Sequence, residues 1–99
     1  MNRINIKFTE LREKNEKALI TYVTAGDPDL NTTEKIIYAK IKGGADIIEL
    51  GIPFSDPLAD GPVIQEASLR SLQQGTTPEK VFSLVEKVRK KSEIPLVLL

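Results

Sequence analysis

The sequence predicts an α/β fold, the N-terminal part of a (β/α)8 barrel: about three parallel strands with their helices, preceded by a covering helix. Three observations lead there. Short β-branched runs alternate with amphipathic segments, the pattern of right-handed βα units on a parallel sheet. The second run carries Glu49 into a loop dense in proline, glycine and aspartate, and parallel barrels place their catalytic groups at the C-terminal strand ends. The chain closes on Leu96-Val97-Leu98-Leu99, an apolar strand whose edge would stand unprotected. A complete barrel takes about 200–250 residues, so residues 1–99 are expected to be the N-terminal fragment of a single barrel domain.

Ile4, Phe8 and Leu11 recur at helical steps and predict a short amphipathic helix that covers something apolar. Ala18 to Thr24 is β-branched and aromatic, a buried strand, broken by Ala25-Gly26-Asp27-Pro28-Asp29. Asn31 with Glu34 three residues on fits a capping box for the next helix. That helix carries Ile36, Ile37, Ala39 and Ile41, and Gly43-Gly44 stops it with backbone that tolerates positive φ. Asp46 to Leu50 is the second strand, and Gly51 to Asp60 a loop. Asp60-Gly61-Pro62 reads as an N-cap region with proline in the first turn, where its missing N–H costs nothing. The helix it opens carries Ile64, Ala67 and Leu72 and ends by Gly75. Thr77-Pro78-Glu79 opens another, with Val81, Leu84, Val85 and Val88 as its apolar stripe and Lys87, Arg89, Lys90 and Lys91 complementing its dipole at the far end. Ile94 to Leu99 begins the third strand.

Composition narrows the chemistry. With 14 basic and 14 acidic residues there is no clustered basic excess, so no nucleic-acid partner is expected. Lys87 to Lys91 is a solvated helix end. The absence of cysteine and histidine excludes disulfides, thiolate metal sites, zinc sites of the usual ligands and Ser-His-Asp machinery from these 99 residues. Acid–base work would fall to carboxylates, lysine or tyrosine. No run approaches the ~20 apolar residues that span a bilayer. Residues 1–10 are mixed polar, unlike a signal peptide, so no membrane association and a cytoplasmic location are expected.

Glu49 ends a strand among Ile47, Ile48 and Leu50, which predicts desolvation and a carboxyl suited to general acid or base work. The competing role is a buried glutamate held by an arginine or lysine from a neighbouring strand. Asp60 before Gly-Pro fits a helix cap as well as a catalyst, and Asp56 and Asp27 fit ordinary turn chemistry. Tyr22 could line the same mouth as Glu49, though on spacing alone core packing suffices for it. Pro53, Pro57 and Pro62 stiffen a loop that either reverses the chain or holds Phe54 and Leu58 out toward a partner.

The run Glu49-Leu-Gly-Ile-Pro-Phe-Ser-Asp-Pro-Leu-Ala-Asp-Gly-Pro-Val-Ile-Gln65 resembles the signature of tryptophan synthase α subunits. Tyr22-Val23-Thr24-Ala25-Gly26-Asp27-Pro28 and Gly44-Ala45-Asp46-Ile47-Ile48-Glu49 fall in the same family order, so the resemblance covers essentially the whole chain. It implies a TIM barrel lyase that cleaves indole-3-glycerol phosphate, a retro-aldol reaction of tryptophan biosynthesis, to indole and glyceraldehyde 3-phosphate. It makes Glu49 the catalytic acid/base, Asp60 the second catalytic carboxylate and Tyr22 the aromatic against the indole ring. Pro53, Phe54, Asp56 and Pro57 become the candidate contacts with a β subunit, in an α2β2 heterotetramer. No cofactor is implied for this chain; pyridoxal phosphate is expected only in the partner β subunit. The phosphate-gripping groups are expected beyond Leu99, so the isolated 99 residues are expected to be inactive. A different phosphate-binding barrel enzyme, or a fragment that only binds a β subunit, are the alternatives. A chain of this size buries only about 60–65% of its unfolded surface, and self-association is the expected response.

Overall fold

A computed structural model describes residues 2–54 and 59–99. In chain order the elements are α1 (Arg3–Glu13), β1 (Ile20–Thr24), α2 (Leu30–Lys42), β2 (Ile47–Gly51), α3 (Pro62–Gln73), α4 (Pro78–Arg89) and β3 (Leu96–Leu98). The strands form one parallel sheet in the order β1-β2-β3. Each passage between strands runs through helix, which is how parallel neighbours are joined. This is the expected α/β architecture.

Pleating divides the sheet residues into two sets. Val23, Ile48, Leu50 and Leu96 point toward α2 and α4, where Ile37, Val81 and Val88 are fully buried and Leu84 nearly so. At about 1.5–3 kcal/mol for each fully buried large aliphatic side chain, this cluster outweighs any local propensity in holding the helices to the sheet. The α4 stripe is the one the sequence predicts. Its cap also stands as expected: the Thr77 side chain accepts from the Lys80 N–H at 3.3 Å, with Pro78 in the first turn. At the strands' N-terminal end, the Leu19 N–H donates to the Asp46 carboxylate at 2.7 Å, tying the approach to β1 to that of β2.

The expected capping box of α2 needs correction, and three other expectations hold in narrower form. The α2 cap is Asp29, not Asn31: its carboxylate accepts from the Thr32 N–H at 2.7 Å. That bond holds the Asp29 carboxyl below its ordinary value of 3.8. Glu34 does not reach back to the helix start but accepts from the Tyr38 hydroxyl at 2.9 Å. At the end of α2 Gly43 keeps an ordinary helical φ and Gly44 alone takes the positive one, +103°. At the start of α3 the cap position belongs to Gly61, with no side-chain cap, which leaves the Asp60 carboxylate unengaged there. In α1 only Leu11 is buried, while Phe8 stays partly exposed. That helix lies at the opposite end of the sheet from the C-terminal strand ends. It borders Ala45, Ile94 and Pro95, with Arg3 paired to Glu93 at 2.9 Å.

Candidate active site

The second set of sheet residues builds the site. Register pairs on a parallel ladder project to the same side, so Tyr22 on β1 and Glu49 on β2, which are direct partners, stand side by side with Val97 of β3 beyond them. Two residues further along each strand, on the same face, Thr24 pairs with Gly51. The Tyr22 ring leans across Gly51, where a methyl group would overlap its hydroxyl. The Thr24 hydroxyl bonds the Tyr22 Oη at 3.2 Å.

Glu49 is half-buried rather than desolvated, because the pleat turns it away from Ile48 and Leu50, which enter the core. Among the described residues no ion pair or hydrogen bond engages its carboxylate, so the salt-bridge alternative finds no partner there. Asp60 arrives from the other side, at the exposed entry to α3. Its backbone carbonyl accepts from Gln65 Nε2 at 2.7 Å, which fixes the turn without using the carboxylate.

What holds α3 in place is a run of small residues. Ala67, Ser68 and Ser71 are buried, and the Ser71 hydroxyl donates to the Ala25 carbonyl at 2.6 Å. Gly26, at φ +85°, leaves the space that the Ser71 and Thr76 hydroxyls occupy and donates its N–H to Thr33 Oγ1 at 3.0 Å. Arg70 grips Asp27 with two nitrogens at 2.8 and 3.0 Å, and the Asp27 carboxylate raises the guanidinium pKa further.

Together these elements enclose a cleft of about 760 Å³ at the C-terminal ends of β1 and β2. Tyr22, Glu49 and Asp60 line it, and so do Pro53 and Phe54 from the loop after β2. Asp56, Pro57 and Leu58 lie outside the described residues. Ile52, Ile64, Ser68 and Leu99 complete the wall and were not singled out as site residues by the sequence. Ile64 and Ser68 are four residues apart on one helix face, a spacing that would have paired them. Gly51 gave no such signal, since only the register reveals its neighbour. The result is a mostly apolar cleft carrying two carboxylates that no basic group among the described residues neutralises, a site able to give and take protons on an apolar ligand. No described group of three or more acidic, histidine or cysteine side chains could hold a metal ion, and no described helix is long and apolar enough to cross a membrane.

Comparison with known proteins identifies the lineage. The family model for the tryptophan synthase alpha chain matches residues 8–99. The tryptophan synthase alpha chain of Alkaliphilus metalliredigens is 63% identical over all 99 residues, which cover 37% of that relative. A crystal structure of tryptophan synthase subunit alpha from Legionella pneumophila superimposes with a TM-score of 0.97 at 43% identity, over 99% of this chain and 38% of that one. Tryptophan synthase from M. tuberculosis, in an aminoacrylate-bound form, gives 0.88 at 32% identity, over 99% and 40%. The chain thus spans somewhat over a third of the length of the curated relatives it matches. Its strands and helices correspond to the N-terminal part of their barrel, and it belongs to the tryptophan synthase alpha chain family.

Proposed function

We propose that these residues form the carboxylate-bearing part of a lyase that cleaves indole-3-glycerol phosphate to indole and glyceraldehyde 3-phosphate. The observation that carries the reading is the meeting of Glu49, Asp60 and Tyr22 on one apolar cleft. The reaction requires two proton movements. Indole C3 gains a proton, the bond from C3 to the glycerol carbon then breaks with its electrons returning to the ring, and the adjacent hydroxyl loses a proton to become the aldehyde. A carboxyl at Glu49 gives the first proton and takes the second. Asp60 accepts the indole N–H and stabilises the positive charge of the protonated ring, while the Tyr22 ring lies against the indole. A low-dielectric wall strengthens both charge interactions.

The product indole suits a protein partner rather than release. Phe54 is 62% exposed beside Pro53 at the rim of the cleft, an apolar contact suited to a β subunit. Asp56 and Pro57 belong to the same proposed contact, and pyridoxal phosphate chemistry would reside in that partner.

The test uses a completed chain: these 99 residues joined to the C-terminal portion of the Alkaliphilus metalliredigens relative. Indole release from indole-3-glycerol phosphate is expected, and Glu49→Gln and Asp60→Asn are each expected to lower it about 100-fold or more with the circular dichroism spectrum unchanged. A near-normal rate in either variant would return that residue to a structural role. No release from the folded completed chain, with or without β subunit, would sink the activity itself.

A further inference from the structure

A phenylalanine would supply the same aromatic wall as Tyr22, so its hydroxyl needs an account of its own. Thr24 lies two residues on along the same face and is 4% exposed. Its Oγ1 and the Tyr22 Oη share one hydrogen bond, to which only one of the two hydroxyls can donate. Among the described residues Thr24 Oγ1 has no other side-chain or backbone partner. Were Tyr22 the donor, the Thr24 hydrogen would be buried with no acceptor, at the full desolvation cost of that group. Thr24 therefore donates, and the tyrosyl hydrogen is left over. No described residue accepts it. Because Gly51 has no side chain, the ring lies across the end of β2 and its hydroxyl stands at the cleft two register positions beyond Glu49.

Ser68 on the facing helix is a second, independent observation. It is 4% exposed and lines the cleft. Thr9 and Ser83 in other helices return their hydroxyls to the carbonyl four residues back, at 2.9 and 3.1 Å. Ser68 does not, and among the described residues its hydroxyl has no partner. Both hydroxyls open on the cleft, so a ligand that excludes water from it either supplies them partners or leaves them unpaired. An indole ring alone offers a single N–H and no acceptor. A hydroxylated side chain offers oxygen atoms at several positions.

We propose that the Tyr22 hydroxyl is a specificity-determining donor, binding a hydroxyl oxygen of the substrate's glycerol chain; this rests on the reading of the cleft as an indole-3-glycerol phosphate site. Calorimetry on the completed chain tests it, in a Glu49→Gln background that binds without cleaving. Loss of one neutral hydrogen bond predicts that Tyr22→Phe weakens indole-3-glycerol phosphate roughly three- to tenfold while indole itself binds within about twofold. With Glu49 present, the loss is expected in KM, with the pH profile of kcat unmoved. Equal affinity for indole-3-glycerol phosphate in the Tyr22 and Phe variants overturns the proposal. So does equal weakening of both ligands, which would mean a displaced ring, or a shifted pH profile with unchanged affinity, which would put the hydroxyl on Glu49. Failure of the parent to bind or cleave indole-3-glycerol phosphate removes the underlying reading instead, and this proposal with it.

Discussion

Gly51 has no side chain because Tyr22 occupies the space into which one would project. Its backbone is not in the left-handed region, so contact rather than φ excludes a larger residue. In an open strand alanine would be the better residue by about 0.5–1 kcal/mol. Here the added methyl overlaps the tyrosyl hydroxyl, and overpacking of this kind costs about 1–3 kcal/mol. Gly51→Ala in the completed chain is therefore expected to lower the urea midpoint, whereas the same change beside Tyr22→Ala should cost less than about 0.5 kcal/mol, since the two sites are in contact. A penalty unchanged without the ring would place the cost in the backbone. This constraint was hidden in the sequence, because nothing in the spacing of Tyr22 and Gly51 says that their strands are neighbours. Glu49, by contrast, was legible as a carboxylate within an apolar run. Its degree of burial was not, since that depends on which way the pleat turns.

At the scale of elements, caps and stripes differed in how well they could be read. The α4 helix satisfied every local rule at once: a Thr77 cap, proline in the first turn and four apolar residues at helical spacing. The start of α2 was read two residues late, at Asn31, because only the backbone shows that the extended segment ends at Asp29, whose carboxylate is the cap. The position of α3 was not readable at all. It is set by long-range contacts of small residues, chiefly the Ser71 hydroxyl on the Ala25 carbonyl, 46 residues away. Since Ser68, Ile64 and Asp60 ride on or beside this helix, that bond positions one wall of the cleft. Ser71→Ala removes a fully buried donor and strands its acceptor, which predicts a loss of about 1–3 kcal/mol in unfolding free energy measured by urea titration. A change within about 0.3 kcal/mol would mean that the Arg70–Asp27 pair and the packing of Ala67 suffice to hold the helix.

For the whole molecule, the deciding fact is that, among the described residues, the two faces of the sheet are covered unequally: on the Tyr22–Glu49 side Ile47 and Thr24 are buried but the cover is incomplete. The α2 and α4 helices bury the Val23, Ile48, Leu50 and Leu96 side, whereas on the other side Ile20 is 47% exposed, and Leu99 beyond β3 is 60% exposed. The outer edges of β1 and β3 have no strand partner among the described residues. The accessible surface of 6468 Å² exceeds by about 15% what a closed monomer of 11.0 kDa would expose. The alternation of strands and helices made the architecture legible, because periodicity is local. How far each face is covered follows from what packs against it, which no local pattern records. Apolar faces and open parallel edges seek cover from any chain that offers it. The 99-residue chain alone is therefore expected to sediment as concentration-dependent species heavier than 11.0 kDa, and the completed chain, whose remaining strands would cover the face, as a single species. Ile20→Lys, which puts a charge on the open face without touching the helical core, should shift the 99-residue chain toward monomer. A monomer at every concentration, unfolding cooperatively, would mean that α1 and α3 already shield the sheet well enough for three strands to stand alone.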